Sequence, residues 1–195
     1  YDAYVKSLDV LNMLSVGNDK NLLARSILTK SFEMVGICSD IKDQRRDNYL
    51  YNIALASESL GHVSFSEFEK PEPDETNLEY YHKDFFGKLL ECLAPSKEGV
   101  RKKAIEDIEV KNSMERSILY YLSASRFYNA SCERGLSSRC YKEVMLVLSS
   151  YMNVFRENGE VPGDAFVDFL DRIVHLLLIS KYHQYEHIHL SEINT

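Results

Sequence analysis

The stretch NSMERSILYYLSASRFYNASCERGLSSRCYKEVMLVLSSYMNVFRENG, residues 112–159, decides the fold. Asn112-Ser113-Met114-Glu115 has the form of a capping box, in which Asn112 accepts from the third backbone N–H and Glu115 reaches back. Ile118, Leu119, Leu122, Ser125 and Ala130 then recur at helical spacing, which predicts a helix that Gly135 stops. Ser137 restarts the pattern, and Tyr141, Val144, Met145, Leu148, Tyr151, Met152 and Phe155 fall on one face before Gly159. Two amphipathic rods separated by about five residues predict an antiparallel helix pair.

The same period extends outward. Tyr4, Leu8 and Leu11 predict a helix over 2–16, and Asp19 caps a second one carrying Leu23, Ile27, Met34 and Val35. A third is expected from about Asp40 to Leu60, with Gly61 as its left-handed stop. Residues 66–76 hold two prolines and five acids, which read as an extended, solvated linker. Beyond it, Leu78, Tyr81, Phe85, Leu89, Leu90 and Leu93 form an apolar stripe ended by Pro95. Ser96 can cap a shorter helix with Val100, Ala104, Ile105 and Ile108. The last helix opens at Gly163-Asp164, and its apolar residues cover over half its circumference, which predicts a central or covered position. The reading is an all-α chain of about eight helices. Its antiparallel pairs would stack as a short α-solenoid or irregular bundle, in subclusters 1–65 and 77–195 joined by linker 66–76.

Composition agrees. Apolar residues are 45% and charged residues 27% of the 195, a globular balance, and the scarcity of glycine (8) and proline (4) disfavours a turn-rich β sandwich. A net charge of −7 opposes general attraction to phosphate backbones, so nucleic acid is not an expected partner. Cys38, Cys92, Cys132 and Cys140 show no C-x-x-C spacing and read as buried reduced thiols. Together with the lack of a secretory or spanning pattern, they suggest cytoplasm or nucleus and no membrane partner. A start at Tyr1, close to a helical pattern, suggests a piece of a longer protein.

Few residues suggest chemistry. His183-Gln184-Tyr185-Glu186-His187 fits H-x-x-E-H, where histidines four apart share a helix face and a glutamate could activate metal-bound water. Only eight residues follow, with Glu192 the sole acid for a further ligand, so His183 and His187 stand as an alternative metal site, with no cofactor expected. Lys97, Arg101, Lys102 and Lys103 are followed at once by Glu106, Asp107 and Glu109, a pattern of surface ion pairs. His175, inside an apolar run, reads as a core histidine. The aromatics from Tyr120 to Tyr128 lie on both sides of one helix, which can mean two packed faces or one packed and one partner-facing.

Residues 49–56 (YLYNIALA) with Leu60-Gly61, and Tyr120 to Ala130 with Tyr141 to Phe155, resemble tetratricopeptide-type or HEAT-type α-helical repeats. That resemblance implies a non-enzymatic scaffold whose inner groove binds protein partners, other subunits or the rest of its own chain. The first helix of each pair would line the groove, which makes Arg126 and Asn129 the partner-facing residues.

Overall fold

In the computed structural model the described residues are 44–68, 85–94, 105, 108–110, 112–157, 159 and 161–193. For 44–49, 63, 66–68 and 183–193 the backbone alone is described. Among the described residues there are five α-helices and no strand. They are α1 (Gln44–Phe68), α2 (Phe85–Leu93), α3 (Ser113–Ala130), α4 (Arg134–Glu157) and α5 (Asp164–Ile193). The all-α class holds. The two expected N-terminal helices, linker residues 69–76, and most of the Ser96 helix lie outside the described residues. Of the last, Ile105 forms a single tight turn in which the Ile108 N–H donates to the Ile105 carbonyl.

The α3 start is as the sequence reads: Asn112 sits in extended backbone and its Oδ1 accepts from the Glu115 N–H at 2.8 Å. The stop is different. Helix α3 ends at Ala130 and the chain turns through Cys132, a non-glycine residue at φ 65°, while Gly135 already lies in the first turn of α4. The Glu133 N–H reaches back to the Tyr128 carbonyl at 2.7 Å and the Ser131 N–H to Phe127 at 2.9 Å, so the exposed carbonyls of α3 are satisfied without glycine. A three-residue connection then turns α4 back along α3.

Gly61 does not stop α1 either; the helix runs on to Phe68, through residues expected to open the linker. Glycine is needed there for space. A Cβ on Gly61 would lie 2.7 Å from the Tyr121 ring. Ala54, Ser57, Gly61 and Ser64 recur at spacings of three and four and are buried, so α1 presents a narrow small-residue track to α3. The Ser117 hydroxyl donates to the Gly61 carbonyl at 3.0 Å across this close approach.

α3 is the centre. Tyr120, Tyr121, Leu122, Ala124, Phe127 and Tyr128 are all buried, so the aromatics on both of its sides pack inward. It lies between α1 and α4, α4 packs on α5, and α2 lies on α5. Phe86 of α2 joins that second layer, with ring centroids 5.5 Å from Tyr151, 5.0 Å from Phe166 and 5.4 Å from Phe169. Helix α2 ends before Pro95 as expected, and the Arg172 guanidinium donates to the Leu93 carbonyl at 2.9 Å, a cation on a helix C-terminus.

α5 opens at Asp164, with the Gly163 carbonyl accepting from Phe166 and Val167. Its burial is narrower than its sequence predicts. Phe166, Phe169 and Ile173 are buried, whereas Val167 is 52% and Leu178 60% exposed. His175 is exposed, which corrects its reading as a core histidine: the inward line passes through Ile173, Leu176 and Leu177, and position 175 falls off it. Cys92 and Cys140 are buried free thiols; Cys132, expected to be buried, is exposed because it sits in the turn.

Candidate functional site

Three polar arrangements stand out, two of them inside the helix layers. Glu58 of α1 is 3% exposed. Its carboxylate accepts from Arg139 twice, Nε to Oε1 and Nη2 to Oε2 at 2.7 Å each, and from the Tyr128 hydroxyl at 2.7 Å. One carboxylate thus ties together α1, α3 and α4. Burial, then the hydrogen bond to Glu58, pushes the Tyr128 phenol far above its ordinary range. The Arg139 guanidinium, held by the same carboxylate, is raised still further from neutrality. Burial, reinforced by Glu58, raises the Cys140 thiol as well, which keeps it protonated and a poor nucleophile.

The second arrangement is the Tyr121 hydroxyl against His62 Nδ1 at 2.8 Å, with the two rings edge to face at 5.3 Å. Burial and the nearby Glu143 and Glu58 carboxylates raise the Tyr121 phenol strongly. Both arrangements hold helices in register. Their polar atoms face one another across helix junctions rather than opening into a cavity.

The third is a cleft. A cavity of about 330 Å³ lies where the end of α3 and the start of α4 meet the outer part of α5. It is lined by Asn129, Arg134, Tyr141, Leu176, Ile179 and Ser180. Arg134 and Tyr141, seven residues apart, share a face of α4; Leu176, Ile179 and Ser180 share a face of α5.

Of the two residues expected to face a partner, Arg126 and Asn129 are both exposed, three apart on the outer edge of α3. Asn129 borders the cavity and Arg126 does not. His183, Glu186 and His187 lie in the helical backbone of α5, whose spacing puts positions 183 and 187 about one turn apart. Their side chains are outside the described residues. Among the described residues no group of three or more His, Cys, Asp or Glu is placed to hold a metal, and no helix is long and apolar enough to cross a membrane.

Sequence reasoning missed the Glu58 cross-link and the cavity. Tyr128 and Arg139 are 70 and 81 residues from Glu58 in the chain, so no local spacing connects them. The small-residue track on α1 was the available signal for a close helix junction there. No family model, no curated protein and no solved structure matches this chain.

Proposed function

We propose that this chain is a non-enzymatic helical-repeat scaffold segment of a larger intracellular protein, holding protein partners within a complex. The observation that carries this reading is the outer surface of the last two helices. Val167, Leu178, Ile179 and Tyr182 of α5, with Leu146 and Met152 of α4, are large apolar side chains left exposed. Exposed apolar groups of this size favour protein contact when they share an element. Two further facts support it. The buried acid of α1 is committed to a structural cross-link, and the buried thiol of α4 is held protonated. Buried Cys92 and Cys140 as free thiols suit a reducing compartment, cytoplasm or nucleus.

Retention of partners by wild-type chain and by a Leu178→Glu/Ile179→Glu variant, from the same native extract, tests the reading. A protein held stoichiometrically by wild type and lost by an equally helical variant is the expected result; no difference between the two contradicts it. The competing reading, a metal-binding or hydrolytic domain built on His183, Glu186 and His187, draws on the continuous helix through these positions. Stoichiometric zinc in purified wild type, absent from His183→Ala/His187→Ala, would replace the scaffold reading with that one.

A further inference from the structure

We propose that the cavity between α3, α4 and α5 binds a small organic anion: one carboxylate or phosphate group on a compact apolar body. This site shares Ile179 with the exposed apolar surface of α4 and α5 but is a concave pocket whose polar groups lie on α3, α4 and α5, so variants at Arg134 and Tyr141 test it apart from the scaffold reading.

The lining has two chemically distinct halves. Arg134, Asn129, Tyr141 and Ser180 bring hydrogen-bond donors, and no acidic residue among the described ones lines the cavity. Leu176 and Ile179 supply an apolar wall. Arg134 is exposed and has no ion pair among the described residues, so its guanidinium is available as a planar, doubly donating partner for a carboxylate or phosphate. It is also the first residue of a 24-residue helix, where aligned peptide dipoles add positive potential.

The second, independent observation is Tyr141. Its residue is only 6% exposed, it borders the cavity, and its hydroxyl has no hydrogen-bond partner among the described residues. By contrast, the hydroxyls of Tyr121 and Tyr128 at the α1–α3 junction each have one. The Tyr141 ring is buried while its hydroxyl is not among the buried unsatisfied atoms of the described residues, so it is open to a ligand as donor or acceptor. A volume of about 330 Å³ suits a ligand of roughly ten heavy atoms, at the small end of binding cavities. Glu133 precedes Arg134 and does not line the cavity, but its carboxylate opposes an anion nearby.

Titration of the full chain with benzoate, phenyl phosphate, inorganic phosphate and the neutral isostere benzamide, followed by NMR and calorimetry, tests this. Saturable binding of benzoate or phenyl phosphate below about 10 mM is expected, as compact ligands of this size reach. The tighter of the two names the anionic group. Benzamide and inorganic phosphate should each bind about tenfold more weakly, because each lacks one half of the complement. Arg134→Gln should weaken binding about tenfold and Tyr141→Phe about fivefold, while Glu133→Gln tightens it about twofold, all with unchanged circular dichroism. Absence of binding to about 10 mM overturns the proposal. So does equal affinity for benzamide, or undiminished affinity in Arg134→Gln.

Discussion

Helices α3 and α5 exchange the places that their compositions suggest. α3 carries Ser113, Ser117, Ser123 and Ser125 among its tyrosines, yet all four serines are buried. α5 contains the unbroken run Leu176-Leu177-Leu178-Ile179, yet Leu178 and Ile179 are exposed. The difference lies in what each helix meets. Along α3, its neighbour α1 supplies polar partners at hydrogen-bond distance: the Gly61 carbonyl for Ser117, His62 for Tyr121, Glu58 for Tyr128. Polar groups enter a core at least cost when desolvated donors find acceptors, and small residues on α1 bring those acceptors close; the Ser123 hydroxyl is an exception, buried with no partner among the described residues. α5 is contacted along one side by α2 and α4, and its excess of apolar residues remains outside. Hydropathy sets how much a helix gains from burial. The neighbours set whether burial happens.

The largest test of this contrast removes the cross-link that holds α3 in place. Arg139→Met leaves the buried Glu58 carboxylate with Tyr128 as its remaining described partner. A loss of about 3 kcal/mol is expected from urea unfolding, the low end for a broken buried pair because the Arg139 side chain is 49% exposed. An unchanged midpoint would mean that water reaches Glu58 and the α1–α3–α4 junction is not dry.

The raised phenols give a second test. Folded Tyr121 and Tyr128 hold their protons where unfolded tyrosines release them, so the folded state binds more protons above about pH 10. The slope of stability against pH is then negative. Their contribution is complete below the unfolded range and declines as pH rises beyond it. Urea midpoints should therefore fall from about pH 9 to about pH 11, less steeply in Tyr121→Phe/Tyr128→Phe. Tyrosinate absorbance that rises before unfolding at both sites would contradict their burial.

Next in size is a pair of glycine substitutions. Gly61→Ala forces the Tyr121 ring to move from a 2.7 Å approach, and a net loss of about 1–2 kcal/mol is expected after the gain in helix propensity. Gly87→Ala in α2 meets nothing within 4 Å and should stabilise by about 0.5–1 kcal/mol. Opposite signs sharpen the distinction between a glycine needed for space and one that is not. The smallest effect belongs to α5: Leu178→Ser should change stability by less than about 0.5 kcal/mol, since the side chain is already in water. A larger loss would place Leu178 in a contact and close the gap between the two helices.

The local signals were legible. The Asn112 cap, the end of α2 before Pro95 and the opening of α5 at Asp164 each follow from a few adjacent residues. Glycine misled twice. Gly135 looked like a stop, but Cys132 takes the left-handed conformation three residues earlier, supported by the backbone bonds from Ser131 and Glu133. Gly61 looked like a stop and is a contact. In both cases the deciding partner is non-local or backbone-only, so side-chain patterning alone leaves it undetermined. Of the site, Asn129 was singled out only as a groove-facing residue implied by the repeat resemblance, whereas Tyr141 reads simply as core. Its membership of the cavity depends on α5 passing beside it, at a separation of 35 to 39 residues along the chain.

Backbone hydrogen exchange measured helix by helix tests the central contrast most directly. Amides of α3 from Ser117 to Tyr128 should exchange only through global unfolding, and those of α5 around Leu178 to Tyr182 through smaller, lower-energy openings. Early exchange in α3 with the slowest amides in the apolar run of α5 would contradict the placement of the serine- and tyrosine-rich helix at the centre.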